Sequence, residues 1–473
     1  MTDYNFLLEI RLSPPQFQIL NHISRTAAGL GLNLYLSGGA VRDITLGQSA
    51  IRNLNFVTEG SAQKIFRALE RETLQKTAKG DLKASTLEAP AGIDFAQFDG
   101  RRQEGMFLFA NGVAVYIRTT RREIYSKPGR APQIEAAGIF DDLRHRDFSA
   151  NAMAISLHPN SRGLLLDPTN GAADIESREF RALSSRAFIE DPSRIYRLLR
   201  LSLRLGFNIE ERTQGWLNAA LAAKAWEGLT PEQQARELRA ALEEENPWRV
   251  LRTFADRGIA AGLDKTLAKV RLERQEKVSP AIRSGAGNES FVLAFDALAE
   301  KLPAAQRKKL AQKVMPDPRT LRLALSLENE ARKLARTLAS DKAARPSSLY
   351  QLLRTKPQAL LLYTLSHYRG AQVQNPLKNF LFKYPQIREN LPRAELQALG
   401  VEPGPRFEEI ITEFFMATLD GRVRAQTQVM KTLRDLAGIK DSEPAKPPPD
   451  QVPARGAESK QGLAKTKLRG KRR

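Results

Sequence analysis

The spacing of the apolar residues changes near Asp191, and this change restricts the fold more than any other feature of the sequence. Upstream, short runs rich in β-branched and aromatic residues, at positions 33–36, 54–57 and 113–119, predict strands. Downstream, apolar residues recur every three to four positions, which predicts helices. The clearest such helical face is formed by Ile195, Leu198, Leu199, Leu201 and Leu205. The pattern therefore predicts an α+β protein, with a mixed domain followed by an all-α remainder.

Further elements are expected on both sides of this change. Upstream, residues 17–30, 40–46 and 61–72 carry helical apolar faces, and residues 92–98 resemble a strand. Downstream, helices are expected at residues 232–245 and 247–257, and the helical pattern continues to about residue 439. A chain of 473 residues is too long for one hydrophobic core, so several domains are expected.

The net charge of the chain indicates which class of binding partner to expect. The sequence has 74 lysine and arginine residues against 53 aspartate and glutamate residues, a formal charge of +21. Such an excess favours binding to polyanions, of which nucleic acid is the commonest large one. The alternative is that the basic surface only keeps the protein in solution.

The rarity of cysteine and histidine excludes several kinds of site. The chain has no cysteine and 4 histidines, which excludes a disulfide framework, a thiolate zinc site and a cysteine nucleophile and leaves little room for a site built from several histidines. No apolar run approaches the ~20 residues of a membrane helix. The first residues lack the pattern of a secretion signal. We therefore expect a cytoplasmic protein with no membrane partner.

The last segment, residues 441–473, is rich in proline and then in lysine and arginine. Such a composition cannot bury apolar surface, so the segment is predicted to be disordered. A basic tail of this kind adds unspecific attraction to phosphates. A purely solubilising tail is the alternative.

A pair of glycines lies between a predicted strand and a predicted helix. In the segment Ser37–Gly38–Gly39, the missing side chains would let backbone N–H groups approach a phosphate. Arg42, one helical turn later, could add a charge-assisted contact. Because glycine pairs are common in turns, a tight turn with a solvated arginine is the preferred explanation of this motif when it is taken alone.

Further motifs follow in order: His145–Arg146–Asp147–Phe148–Ser149–Ala150–Asn151–Ala152–Met153, then Asp167–Pro168, then Glu190–Asp191–Pro192–Ser193–Arg194 with Arg197 and Arg200. Together with the glycine turn, this ordered set resembles the class II tRNA nucleotidyltransferases and bacterial poly(A) polymerases. The resemblance covers about residues 34–263 and returns at residues 399–405 and 419–421. It implies a polymerase-beta-like nucleotidyltransferase head at residues 1–160, a helical neck at 161–263, a body at 264–395 and a tail at 396–440.

The resemblance also implies roles for individual residues. Gly38, Gly39 and Arg42, with Asp43 beside them, would hold the triphosphate. Arg146 and Asp147 would contact the sugar and phosphates of the nucleotide. The base edge of C or A would be read without a template by Asp191 and Arg194, and the pocket would be backed by Arg197 and Arg200. For Asp191 and Arg194, a helix cap with a local ion pair is the alternative.

One departure from the family pattern concerns catalysis. Family members hold two metal ions with two carboxylates on the strand after the glycine turn and a third carboxylate on a neighbouring strand. Asn53 and Asn55 stand at the first two positions, and Tyr116 stands at the third, counted back from Arg122–Glu123–Ile124–Tyr125. No catalytic carboxylate is therefore intact, and no metal site is predicted. Asp94, expected on an adjacent strand, could replace one ligand, and Mg²⁺ would be needed if catalysis survives.

Arg118, with Arg52 and Arg121 close by in the sequence, adds positive charge around the lost acids. Arg118 lies two residues after Tyr116 and therefore on the same strand face. We hypothesise that its guanidinium occupies the space of a metal ion and binds phosphate without Mg²⁺; the alternative is drift, with Arg118 turned to solvent. His145 replaces the usual arginine before Arg146, which weakens one phosphate contact.

The function expected from these observations is binding of RNA, with tRNA as the expected class, and of ATP or CTP, by a protein whose catalysis is impaired. The alternative is an active, template-independent nucleotidyltransferase that adds C or A to RNA 3′ ends.

Overall fold

The computed structural model of the protein describes residues 2–48, 51–78, 92–127, 129–130, 132–269, 290–315, 317–340, 345–423 and 426–439. The predicted disordered segment at 441–473 lies outside the described residues. The chain forms two compact units, one of Met1–Lys342 with Leu352–Leu377 and one of Ala343–Gln351 with Lys378–Arg473. The domain boundaries expected near residues 160, 263, 395 and 440 stay predictions. In the described part, no helix combines the length and apolarity needed to cross a membrane.

The first unit contains a seven-stranded mixed sheet in the order β3–β4–β5–β2–β1–β8–β9. Its strands are β1 (Asn33–Ser37), β2 (Asn53–Glu59), β3 (Ile93–Asp99), β4 (Glu104–Phe109), β5 (Ala114–Thr119), β8 (Ala154–Ser156) and β9 (Leu165–Leu166). Two small ribbons pair β6 (Arg121–Ile124) with β7 (Gln133–Ala136) and β10 (Glu179–Phe180) with β11 (Asn208–Ile209). β2 and β5 run parallel, while β1 is antiparallel to both of its neighbours. The predicted α+β class is confirmed.

Seven helices accompany these strands among the described residues up to position 192: α1 (Tyr4–Arg11), α2 (Pro14–Gly29), α3 (Gly39–Thr45), α4 (Ala62–Ala78), α5 (Ile139–Arg144), α6 (Gly171–Glu176) and α7 (Ala187–Glu190). The remaining helices of the chain include α8 (Ser193–Leu205), α9 (Glu211–Ala222), α10 (Pro231–Leu242), α11 (Pro247–Asp256) and α12 (Ala260–Leu263). They continue with Ser290–Ala299, Ala304–Val314, Pro318–Leu338, Pro346–Leu353, Gln358–His367, Ala371–Lys378, Tyr384–Glu389, Arg393–Ala398, Pro405–Leu419 and Gln426–Ala437.

Alternation of side chains along the central strands gives the sheet two different faces. On one face, α4 packs against the strands, and its Phe66 stacks on Phe107 of β4 with ring centroids 4.4 Å apart. On the other face, α5 covers a small core of Tyr35, Val57, Ile139, Leu143, Ala154 and Leu166. Outside this second core, the same face of the sheet carries polar residues of β2 and β5, among them Asn53, Asn55 and Tyr116, which α5 does not bury in its apolar core.

The helix α8 is strongly amphipathic and joins the sheet domain to the helices that follow. Its apolar face, with Ile195, Leu198 and Leu201, is buried, and it packs on α10 and α11. Tyr196 donates a hydrogen bond from its hydroxyl to the carbonyl of Ile259 at 2.8 Å, which fixes α8 to the region after α11. The opposite, arginine-rich face of α8 is therefore held in a fixed orientation.

The second unit has its own apolar core, formed mainly by Pro405–Leu419 and Gln426–Ala437. Phe407, Ile410, Phe414 and Leu433 are buried there. Its helical character agrees with the expectation for the end of the chain.

Candidate functional site

A cavity of about 820 Å³ lies in the first unit, between the polar face of the sheet and the helices α5, α8 and α10. Its lining includes every residue to which the family resemblance assigns a role: Gly38, Gly39, Arg42, Asp43, Asn53, Asn55, Tyr116, Arg146, Asp147, Asp191, Arg194, Arg197 and Arg200. Residues that are up to 162 positions apart in the sequence thus line a single cavity.

The glycine turn connects β1 to α3 with a backbone that disfavours other residues. Gly38 has a φ of 73° and a ψ of −135°, a combination that L-residues with a side chain rarely adopt. A Cβ atom at Gly38 would lie 3.2 Å from Nη1 of Arg146. The turn therefore needs glycine both for its backbone angles and for the close approach of an arginine.

Arg42 is buried, so the expectation of a solvated arginine is wrong. It is 2% exposed, and its Nη1 donates to Oδ1 of Asn151 at 2.6 Å. Its Nε and Nη2 contact Oδ1 of the adjacent Asp43 at 2.8 and 2.7 Å. Arg42 consequently joins α3 to the segment 145–153, and the Asp43 carboxylate is committed to Arg42.

Asn53, Asn55 and Tyr116 lie side by side, as the sequence predicts. Asn55 of β2 is the direct neighbour of Tyr116 on the parallel strand β5, and Asn53 pairs with Ala114. Both asparagines and the tyrosine line the cavity. Burial and the negative charge of Glu243 raise the pKa of the Tyr116 hydroxyl, which keeps it neutral at physiological pH. This part of the sheet thus presents two amides and a phenol.

Asp94 does not lie on a strand adjacent to β2, which corrects the expectation from the sequence. Its strand, β3, is the edge strand, and β4 and β5 separate it from β2. Three strand spacings place it roughly 14 Å away, and it is not among the residues lining the cavity. The sequence suggests proximity only because the pattern of β4 does not predict a strand. Asp94 therefore cannot replace a lost carboxylate.

Asp142, on α5, binds two arginines of the cavity. Its carboxylate accepts two hydrogen bonds from Arg118 at 2.5 and 2.8 Å, and two from Arg146 at 2.9 and 3.1 Å. Burial alone would raise the pKa of Asp142, but these two positive charges hold it well below its ordinary value. Arg118 therefore lines the cavity as part of a buried pair, and the alternative that it is turned to solvent is wrong.

A chain of polar contacts continues from Arg146 to α8. Arg146 also donates to Oγ of Ser37 at 3.1 Å, and the next residue, Asp147, accepts a hydrogen bond from Arg197 at 2.9 Å. Burial would raise the pKa of Asp147, but the charge of Arg197 and a further contact to Asn151 lower it. The segment 146–147 is thus bonded to β1 on one side and to α8 on the other.

Asp191 lies two residues before the start of α8 and is held by three donors. Its Oδ1 accepts from the backbone and hydroxyl of Ser193 at 3.1 and 2.6 Å and from Nε2 of Gln233 at 2.8 Å. Its Oδ2 lies 3.8 Å from Nε of Arg194. The local ion pair is therefore present, whereas the N-cap of α8 is Pro192 and no side chain caps the helix. Both Asp191 and Arg194 remain at the cavity wall.

His145 also lines the cavity, on its exposed side. Its ring Nδ1 lies 2.8 Å from the carbonyl oxygen of Asp141, and its own carbonyl accepts from Nη2 of Arg194 at 3.4 Å. The residue thus contributes a backbone contact to the wall whatever the charge of its ring.

The electrostatics of the lining favour an anion but not a divalent cation. The lining contains 11 arginines and 8 carboxylates, an excess of positive charge. Among the described residues, no group of three or more histidine, aspartate or glutamate side chains could hold a metal ion. The amide oxygens of Asn53 and Asn55 carry no charge, and Mg²⁺ usually requires one or two carboxylates besides phosphate. The residues present therefore do not fit the metal pair of the family.

Several residues of the site were not anticipated from the sequence. Asp142, Gln233 and Glu244 each bond to a residue that the sequence did predict. Asn151 belongs to a predicted motif but was given no role, and it binds Arg42. Asp142 lies in α5 and precedes Arg146, which follows the end of that helix, by four residues; this i, i+4 pairing of opposite charges is a signal that could have found it. The contacts of Gln233 and Glu244 depend on tertiary packing and leave no local signal.

Comparison with known proteins identifies relatives of this chain. A family model described as the poly A polymerase head domain matches residues 34–181. The chain is 30% identical over 430 residues to a CC-adding tRNA nucleotidyltransferase of Deinococcus radiodurans, covering 90% of this chain and 96% of that protein. It is 25% identical over 445 residues to an A-adding tRNA nucleotidyltransferase of Geobacter sulfurreducens, covering 91% of this chain and 48% of that protein, so it spans about half of that relative.

Among solved structures, a CCA-adding enzyme in an apo form aligns with 92% of this chain and 99% of its own, at 23% identity and a TM-score of 0.48. The sequence match to the Deinococcus protein extends over nearly the whole of both chains. The chain therefore belongs to the family of tRNA nucleotidyltransferases and poly(A) polymerases.

Proposed function

We propose that this protein binds RNA, with tRNA as the expected class, and ATP or CTP in the cavity, and that it does not carry out metal-dependent nucleotide addition. The observation that carries the proposal is the adjacency of Asn53, Asn55 and Tyr116 within the cavity. These are the positions at which the family resemblance places three metal-binding acids. The cytoplasmic location expected from the sequence stays a prediction.

The size of the expected defect follows from the role of the metal ions. In nucleotidyl transfer they activate the attacking hydroxyl and neutralise developing charge, a contribution of several kcal/mol. A loss of ~5 kcal/mol corresponds to a fall in rate of more than a thousandfold. Two carboxylates of the cavity are already committed to arginines, since Asp43 is bonded to Arg42 and Asp142 to Arg118 and Arg146.

Binding does not depend on the same three positions. The guanidinium groups that line the cavity can bond to phosphates without a metal. Asp191 and Arg194 stand at the wall with the chemistry to read an amino group and a ring acceptor of a base. The relatives of this chain carry the names A-adding and CC-adding tRNA nucleotidyltransferase, which favours tRNA over other RNAs and ATP or CTP over other nucleotides.

The test is incubation of the protein with tRNA that lacks its 3′ end, labelled ATP or CTP, and Mg²⁺ or Mn²⁺. We expect tRNA to bind and not to be extended, and nucleotide affinity to survive EDTA. The matched control is a variant that combines Asn53→Asp, Asn55→Asp and Tyr116→Glu. If the residues at these three positions are the reason why tRNA is not extended, this variant gains metal-dependent extension. Extension by the unaltered chain at the rate of an acid-complete relative would refute the proposal.

An active enzyme that adds C or A to RNA 3′ ends is the second candidate. It is favoured by the retention of the glycine turn and of Arg146, Asp147, Asp191 and Arg194 around one cavity. The same incubation decides between the two, since the second candidate requires labelled product and its disappearance on chelation.

A further inference from the structure

A buried carboxylate holds three arginines at one end of the cavity. Glu244, in the connection between α10 and α11, is 4% exposed. Its Oε1 accepts a hydrogen bond from Nη1 of Arg200 at 2.7 Å and lies 3.7 Å from Nη1 of Arg204. Its Oε2 accepts from Nη2 of Arg52 at 3.0 Å. All three arginines line the cavity.

This cluster has more positive charge and more donors than Glu244 can satisfy. Three guanidinium groups face one buried carboxylate, and they outnumber the nearby acids even when the exposed Glu243 is added, since the other nearby acid, Asp43, is bonded to Arg42. The Nε of Arg200 is buried without a hydrogen-bond partner. Burial and the nearby charge of Arg42 lower the pKa of Arg204 to about 10. A group with more acceptor oxygens than a carboxylate would stabilise the cluster better.

Phosphate is the anion that meets this demand. A phosphate group offers more acceptor oxygens than a carboxylate, and guanidinium groups bind it in bidentate geometry. Arg52 directly precedes Asn53, and its side chain is 44% exposed, so the cluster is accessible from the part of the cavity where the family acids are missing. The arginine cluster of residues 52, 200 and 204 thus borders the expected position of substrate phosphates.

We propose that Glu244 is an internal substitute for a phosphate group. In the free protein it holds Arg52, Arg200 and Arg204 together, and a phosphate of a bound RNA or nucleoside triphosphate takes its place on these arginines. The need to displace the Glu244 carboxylate reduces the apparent affinity for phosphate, because the three arginines can bind phosphate only after they are released from Glu244. This inference rests on the proposed function, since it assigns a phosphate subsite within the same cavity.

The test is a calorimetric titration of the full chain with inorganic pyrophosphate in the presence of EDTA. We expect Glu244→Gln to raise the affinity about tenfold or more, since the arginines lose their internal anion. Glu245→Gln is the matched control, because Glu245 is the next residue along the chain, its side chain is exposed, and the change removes the same charge. We expect its affinity to be within about twofold of that of the unaltered chain. Adding Arg52→Gln to Glu244→Gln should abolish the gain. Unchanged or weaker binding by Glu244→Gln would overturn the proposal.

A second variant covers the case in which Glu244→Gln does not fold. Arg52→Gln alone changes a side chain that is 44% exposed, and we expect it to weaken pyrophosphate binding severalfold. Affinity equal to that of the unaltered chain would count against the subsite.

Parallel titrations identify the source of the phosphate. A gain by Glu244→Gln with tRNA lacking its 3′ end, and not with ATP, assigns the subsite to the RNA backbone; the reverse assigns it to the nucleotide. If no variant binds tRNA or ATP, the proposed function fails, whereas the pyrophosphate comparison still decides whether Glu244 occupies an anion subsite.

Discussion

Gly38 is a position at which one added methyl group should disturb the site through the backbone. Its φ of 73° and ψ of −135° are accessible almost exclusively to glycine, and a Cβ would approach Arg146 at 3.2 Å. We expect Gly38→Ala to lower the free energy of unfolding by ~1–3 kcal/mol. Denaturant melts can measure this. Gly39→Ala is the control, because its φ is ordinary and its Cβ would meet Arg42 at 3.4 Å; an equal loss in both variants would contradict the argument.

Asp142 should contribute more to stability than any exposed acid of the same helix. It is 2% exposed and bonded to Arg118 and Arg146, so Asp142→Asn leaves two partly buried guanidinium groups without their anion. Loss of one partner of a buried pair costs ~3–5 kcal/mol. The adjacent Asp141 pairs with Arg122 in a half-exposed contact, for which less than ~1 kcal/mol is expected. Comparable denaturation midpoints for Asp142→Asn and Asp141→Asn would show that the contacts of Asp142 with Arg118 and Arg146 do not stabilise the fold.

The carboxylate of Asp142 should also make the free energy of unfolding fall at acid pH. The pKa of Asp142 is lowered from its ordinary value of 3.8 in the folded protein, so below about pH 4 the unfolded chain binds more protons than the native one. The stabilisation is complete above that pH and is lost as the pH falls towards the lowered native pKa. Unfolding followed at about pH 6 and pH 3 should show a smaller acid loss for Asp142→Asn than for the unaltered chain; parallel profiles would contradict this.

The residues of the site were predictable from the sequence to the extent that they belong to ordered motifs. The glycine turn, the segment 145–153 and Asp191 with Arg194 could be placed in one cavity, because the family pattern links them. The partners that fix them could not. Glu244 lies 192 residues from Arg52, and the isolated letters EEEN carry no sign that the second glutamate is buried.

The secondary-structure elements predicted from the sequence agree best with the structure where the local sequence pattern is strong. The strand expected at residues 54–57 is β2 (Asn53–Glu59), and the helix expected at residues 40–46 is α3 (Gly39–Thr45), since apolar runs and glycine punctuation define both. β4 (Glu104–Phe109) was not predicted: its buried face includes Gly105, and a glycine weakens the strand pattern. Missing one strand moved the expected position of Asp94 towards β2.

The first turn of α10 couples a helix cap to the site. Thr230 and Gln233 form a capping box, and the side-chain amide nitrogen of Gln233 also donates to Asp191 at 2.8 Å. Thr230→Ala should lower the free energy of unfolding by ~1 kcal/mol, measured by denaturation. Thr253→Ala is the matched control, since this exposed hydroxyl bonds to the preceding helical turn at Arg249; a loss as large as that of Thr230→Ala would remove the capping argument.

For the chain as a whole, the charge of +21 predicts RNA binding that weakens steeply with salt. Residues 441–473 hold nine lysines and arginines against four acids, so part of this dependence belongs to the tail. Deleting the tail should reduce the slope of log affinity for tRNA against log salt by ~1 for each phosphate that the tail neutralises. It should leave pyrophosphate affinity unchanged, because the arginines that line the cavity are expected to supply the pyrophosphate contacts.

The control for the deletion is a chain whose tail has the same composition in scrambled order. Attraction that depends on charge alone should give this chain the salt slope of the natural sequence. A deletion that leaves the slope unchanged would mean that the tail only keeps the protein in solution, and that the arginines of the folded units supply all of the phosphate attraction. A scrambled tail that behaves like the deletion would instead require a specific tail sequence, which an argument from net charge does not predict.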